Sequence, residues 1–175
     1  MKYAALLRGI NVGGNNKVPM KVVVQLFESA GFTNVSTYIN SGNIFFESDV
    51  NHKVEITSTI LELFNKEFKF EIPTLIKTHK ELTSVATAIP SDWTNDDTQK
   101  TDIAYLFPEA DKPEIMDQLP FDHDFIDVLY TPGALIWNLN RENYAKSKLN
   151  KIIGSKLYRQ MTVRNVNTAR RLAQD

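Results

Sequence analysis

A glycine-rich stretch just inside the start of the chain constrains its fold most. Residues 6–20 read Leu6-Leu7-Arg8-Gly9-Ile10-Asn11-Val12-Gly13-Gly14-Asn15-Asn16-Lys17-Val18-Pro19-Met20 and hold three of the seven glycines. The apolar run 3–7 in front of it is too short for a buried helix and reads as a buried strand. Behind it, Pro19 suits a first helical turn, Val22, Val23, Leu26, Phe27 and Ala30 recur at helical spacing, and Gly31 stands where a C-terminal cap belongs. A strand must therefore turn into a helix through glycine, with Arg8 and Lys17 on either side of the turn.

The next elements follow the same punctuation. Residues 34–39 and 44–47 read as strands joined by Asn40-Ser41-Gly42-Asn43, a short polar connection with glycine inside it. Asp49 is placed to cap a long helix with Ile56, Ile60, Leu63 and Phe64 on one face. Residues 72–77 form a further strand, with Pro73 at its start or on a sheet edge. The order βαββαβ within about 77 residues is the ferredoxin-like arrangement. In that topology the first and third strands are antiparallel neighbours, which brings Asn43 toward Arg8.

Thr78 and Glu81 make a capping-box pattern for a short helix, and the polar stretch 90–101 is the linker candidate. The second half then repeats the order of the first: a strand at 103–107, a helix from Asp111 to Leu119, a hairpin at 124–139 around Thr131-Pro132-Gly133, and a helix from Tyr144 to Tyr158 broken near Gly154. An extended segment 162–164 and a terminal helix 166–173 complete it. The expected fold is α+β in two subdomains, 1–78 ferredoxin-like and 79–175 a related α/β sandwich.

Composition narrows function by exclusion. A net charge of −1 leaves no global field to collect nucleic acid. Without cysteine there is no disulfide, thiol nucleophile or zinc–thiolate site. Arg8 interrupts the apolar start before a signal-peptide core forms, and no run approaches the roughly 18 apolar residues of a membrane-spanning helix. The expectation is a soluble cytoplasmic protein with no membrane partner. His52, His79 and His123 are far apart, so no metal site is expected, and no hydrolase nucleophile motif occurs.

The glycine stretch fails the strict phosphate motifs. Gly9 and Gly14 keep the P-loop interval, but Lys17 comes two places late and Val18 stands where the metal-binding hydroxyl belongs. What survives is a generic cradle of Gly13 and Gly14 amides, Asn15, Asn16, Lys17 and a helix N-terminus. The bland alternative is a plain glycine loop with solvated charges. Lys146, Lys148, Arg164 and Asn165 add cations and amides from the second half.

Residues 7–14 and 17–20, with Gly31-Phe32-Thr33-Asn34-Val35 and Thr37-Tyr38-Ile39-Asn40-Ser41-Gly42-Asn43, resemble the bacterial family of unknown function DUF1697. Lys146-Ser147-Lys148 and Thr162-Val163-Arg164-Asn165 continue the resemblance. It implies two α+β subdomains, the first ferredoxin-like, and signature positions at Arg8, Asn11, Gly13, Gly14, Lys17, Ser41, Asn43, Lys148, Arg164 and Asn165. Where the family often carries Trp after the Arg-Asn pair, this chain has Val166. The resemblance brings no activity, cofactor or catalytic residue with it. The expected role is binding of an anionic small molecule or nucleotide in a polar pocket between the subdomains. A nucleic-acid-binding module and a purely structural role for the motifs are the alternatives.

Overall fold

Strand β1 (Lys2–Leu7) is the spine of the first unit in the computed structural model, which describes residues 1–174. It pairs antiparallel with β3 (Asn43–Glu47) on one side and β4 (Thr74–Thr78) on the other, and β2 (Thr33–Tyr38) pairs antiparallel with β3. The sheet order is β2-β3-β1-β4. Strand periodicity sends Tyr3, Ala5 and Leu7 into one core with α1 (Met20–Ser29) and α2 (Lys53–Glu67). Phe27 of α1 is the hub, its ring 5.2 Å from Phe46, 5.6 Å from Phe32 and 6.1 Å from Phe64. Ala4 and Leu6 point to the other face and are buried as well.

Two helix starts differ from expectation. Pro19 is the extended residue in front of α1 rather than part of its first turn. Asp49 does not cap α2, which begins at Lys53 after extended His52. Ser48 Oγ accepts a hydrogen bond from Val50 N at 3.0 Å, so a local turn takes up the residues that a cap at Asp49 needs.

The chain divides at His79/Lys80 into two compact units. In the second, β5 (Gln99–Leu106) is flanked by β7 (Ala134–Asn140) and β8 (Met161–Asn165), and β6 (Asp127–Thr131) pairs with β7, all antiparallel. Its order, β6-β7-β5-β8, is that of the first sheet when strands are counted from the start of each unit. Helix α3 (His79–Ala88) follows β4 directly, and α5 (Val166–Leu172) closes the unit.

The connections of the second unit are where the expected helices fail. In place of a helix over 111–119 there are 3-10 turns at Pro108–Ala110 and Pro113–Gln118. In place of a helix over 144–158, α4 (Tyr144–Ser147) is followed by 3-10 turns at Leu149–Ile152 and Leu157–Gln160. Lys148 stops α4 by adopting a left-handed backbone at φ +59°, and Ser147 Oγ then accepts from Leu149 N at 3.2 Å. The stretch 90–101, the linker candidate, lies inside the second unit, and its last residues, from Gln99, belong to β5. Asp96 Oδ1 accepts from Thr98 N and Gln99 N, both at 2.8 Å, and Arg170 Nη2 donates to Trp93 O at 3.0 Å.

The bonds at Asp96 hold its carboxyl below the ordinary aspartate range, the Gln99 N–H first, then the Thr94 hydroxyl and the Thr98 N–H. A lowered value means that this loop is stabilised above the ordinary range and loosens as pH falls through the lowered midpoint. Carboxyl NMR titration is expected to give Asp96 a midpoint below about 3.9. A midpoint at or above that value contradicts the hydrogen bonding described. No helix among the described residues is long and apolar enough to cross a membrane.

Candidate functional site

The glycine stretch folds into a small hairpin that stands on the end of β1. Asn11 N donates to Asn16 O at 3.1 Å and Asn15 N to Val12 O at 3.1 Å, with Val12 and Asn15 bridged. Gly13 and Gly14 occupy the tip at φ +59° and +77°, the positive pair that a tight hairpin turn demands. Their own N–H groups take no part in the bonds that close the loop, and both residues are exposed.

Asn11 clamps this hairpin from the inside. Its Nδ2 donates to Val18 O at 3.0 Å and to Asn40 O at 2.9 Å, and its Oδ1 accepts from Val18 N at 2.8 Å. The backbone there is left-handed, φ +54°, a conformation asparagine tolerates better than most residues. One side chain thus joins both ends of the loop to the turn between β2 and β3.

That turn meets the end of β1 through backbone. Leu7 N donates to Gly42 O at 2.8 Å, while Arg8 N donates to Pro73 O at 3.0 Å. Arg8 therefore leaves the sheet where the glycine hairpin, the β2–β3 turn and the entry to β4 come together. Its side chain is half-buried, as is Ser41, and Lys17 is exposed. Asn43 pairs with Leu6 across the ladder and is fully buried, and its Nδ2 donates to Tyr38 O at 2.9 Å and Ser41 Oγ at 3.1 Å.

Seven of the ten expected site residues, Arg8, Asn11, Gly13, Gly14, Lys17, Ser41 and Asn43, thus belong to one end of the first sheet. The other three lie in the second unit and are differently engaged. Lys148 Nζ sits 3.7 Å from Asp122 Oδ2. Asn165 Oδ1 accepts from Thr168 N at 3.0 Å and caps α5. Arg164 is buried, and its Nη1 donates to Thr162 Oγ1 and Val163 O, both at 2.9 Å. Burial draws the guanidinium down to about 10, against the pull of the Tyr105 and Tyr158 hydroxyls. Even so it stays charged at neutral pH. Tyr105, whose buried hydroxyl has no hydrogen-bond partner, is pushed upward by burial.

The reading from sequence missed a cavity of about 430 Å³ in the second unit, lined by Lys100, Asp102, Trp137, Arg141, Tyr144 and Tyr158 among others. The available signal was Asp102 at the edge of an apolar strand and a tryptophan on its neighbour, since a buried indole N–H needs an acceptor. Among the described residues no group of three or more His, Asp or Glu side chains is placed to hold a metal.

Among solved structures, the chain is similar to the conserved bacterial protein SP0830 from Streptococcus pneumoniae. Identity is 27%, with 99% of this chain and 97% of that one covered and a TM-score of 0.86. No curated protein matches the chain. The model of the family described as "Protein of unknown function (DUF1697)" matches residues 1–137, a span that includes the whole glycine hairpin and stops short of Lys148, Arg164 and Asn165. The chain belongs to the DUF1697 family.

Proposed function

We propose that the protein binds an anionic small molecule or nucleotide at the end of the first sheet, through Arg8, Lys17, Ser41 and the Gly13 and Gly14 amides. The observation that carries this reading is the Asn11 clamp. Three hydrogen bonds from one side chain fix a loop whose tip amides are left for another partner. Preorganised N–H donors beside two cations favour a compact anion over a neutral ligand. The same proposal treats the first unit as ferredoxin-like and the second as its relative. The βαββαβ order and the shared strand order support that view.

A structural role is favoured for part of the motif by a specific observation: Asn11, Asn43 and Asn165 spend their side chains on main-chain groups or on a neighbouring hydroxyl. We assign these three to the frame, and Arg8, Gly13, Gly14, Lys17 and Ser41 to the ligand.

Thermal denaturation with pyrophosphate, ATP or a short single-stranded RNA tests the proposal. At about a hundredfold excess over its dissociation constant, a bound anion is expected to raise the midpoint by about 5–10 °C. Arg8→Ala and Lys17→Ala are expected to remove most of that rise. No shift with any anion, or an equal shift in both variants, overturns the proposal. A response to RNA alone that collapses steeply with salt replaces it with nucleic-acid binding.

A further inference from the structure

The cavity of the second unit is built as an amphipathic pocket. Its floor is a row across three strands: Trp137, Asp102 and Asn165 face one another in register on β7, β5 and β8. Residues directly opposite in antiparallel strands share a face, so the three side chains leave the sheet together. Asp102 is buried, and its Oδ2 accepts from Trp137 Nε1 at 3.2 Å and lies 3.0 Å from Lys100 Nζ. The single carboxylate of the floor is therefore already neutralised and hydrogen-bonded.

Arg141 stands on the polar side and is held in place. Its Nε donates to Asp96 O at 2.5 Å and its Nη2 to Asn95 Oδ1 at 3.0 Å, which leaves further guanidinium N–H groups undirected. Asn165 has given its Oδ1 to the α5 cap, so what it still offers is the Nδ2 donor. Arg141 thus supplies the positive charge that is not spent on Asp102, with Asn165 Nδ2 as a further donor, and the Tyr144 and Tyr158 hydroxyls also line the pocket. The opposite side comes from the broken helical segment, where Leu149 and Ile152 are buried and Ile153 stands 63% exposed at the rim.

We infer that this pocket is a second binding site, for a small organic anion with an apolar body and a carboxylate, phosphate or sulfonate head. The head meets Arg141 and the Asn165 amide, and the body lies against the 149–153 segment. A volume of about 430 Å³ lies within the range of small-molecule pockets. The site uses none of the residues assigned to the first unit and stands or falls independently of them.

The probe is 8-anilinonaphthalene-1-sulfonate, an aromatic body with one sulfonate, titrated by fluorescence into the intact native protein. Saturable one-to-one binding is expected, displaced by an aromatic carboxylate or an aryl phosphate according to which head the site prefers. Arg141→Met is expected to weaken it about tenfold by removing the fixed cation. Ile153→Glu, a change at an exposed rim position that leaves the fold intact, is expected to weaken it at least about fivefold through charge repulsion. The uncharged N-phenyl-1-naphthylamine is expected to bind wild type and Arg141→Met alike. Unsaturable binding, or wild-type affinity in either Arg141→Met or Ile153→Glu, overturns the inference.

Discussion

Gly42→Ala is expected to lower the stability of the first unit by about 2–5 kcal/mol, a large effect for a single added methyl. Two independent costs meet at this residue. Its backbone lies at φ +86°, where a side chain is strained whatever the space around it. Its Cβ would also stand 2.7 Å from Leu7 Cβ and 2.9 Å from Ile10 Cδ1, and Leu7 Cβ is fixed to the central strand. Relieving the contact moves the Gly42 carbonyl that accepts from Leu7 N. Urea denaturation followed by far-ultraviolet circular dichroism measures the loss. By contrast, an added Cβ meets nothing within 4 Å at Gly13 or Gly14, so Gly13→Ala carries only the backbone strain. A Gly42→Ala protein no less stable than Gly13→Ala contradicts the packing described.

Asn43→Ala is the second large effect, expected at about 2–4 kcal/mol. The side chain is fully buried and donates to Tyr38 O and Ser41 Oγ. Truncation removes the Asn43 Nδ2 bond to the part-buried Tyr38 carbonyl and empties the space of a buried amide in the same step. Asn43→Asp is expected to be at least as damaging at neutral pH, because a carboxylate cannot donate to Tyr38 O. Its stability should recover in part as pH falls and the carboxyl gains a proton to donate. The same denaturation series reads both variants, and a loss below about 0.5 kcal/mol in Asn43→Ala contradicts the frame role given to it.

Strands such as β1, β4 and β7 were legible because they are short apolar runs closed by glycine, proline or a polar turn, whereas polar β2 was legible only from the glycine-containing turn after it, and the polar start of β5 was read as linker. The ladder of the first sheet followed from element order, and with it the approach of Asn43 to the end of β1. The loop itself was harder to read. Comparison with phosphate motifs suggested a cradle running straight into a helix, whereas Val12 and Asn15 close the turn on itself and residues 17–19 separate it from α1. That closure depends on positive φ at Asn11 and Asn16, and asparagine only permits such a conformation without announcing it. The segment 144–160 misled for a similar reason. Its composition suits a helix, but a left-handed Lys148 divides it, and nothing in a lysine predicts that. The second-unit pocket escaped notice because Lys100 and Asp102 on β5 are far along the chain from Trp137 and Arg141 and meet them only through strand pairing and the 94–99 turn.

Two kinds of polar residue emerge from the motif. Asn11 and Asn43 hold main-chain groups at the loops, whereas in the proposed reading Arg8, Lys17 and the tip glycines meet the ligand. The claim that such a frame serves to bind an anion is tested most directly by amide chemical shifts. Titration of pyrophosphate into isotope-labelled protein is expected to move the Gly13 and Gly14 amides and the Arg8 side-chain N–H saturably, with one common dissociation constant, and to leave the Asn11 and Asn43 side-chain amides in place. Shifts that never saturate, or that spare Gly13, Gly14 and Arg8, contradict the account.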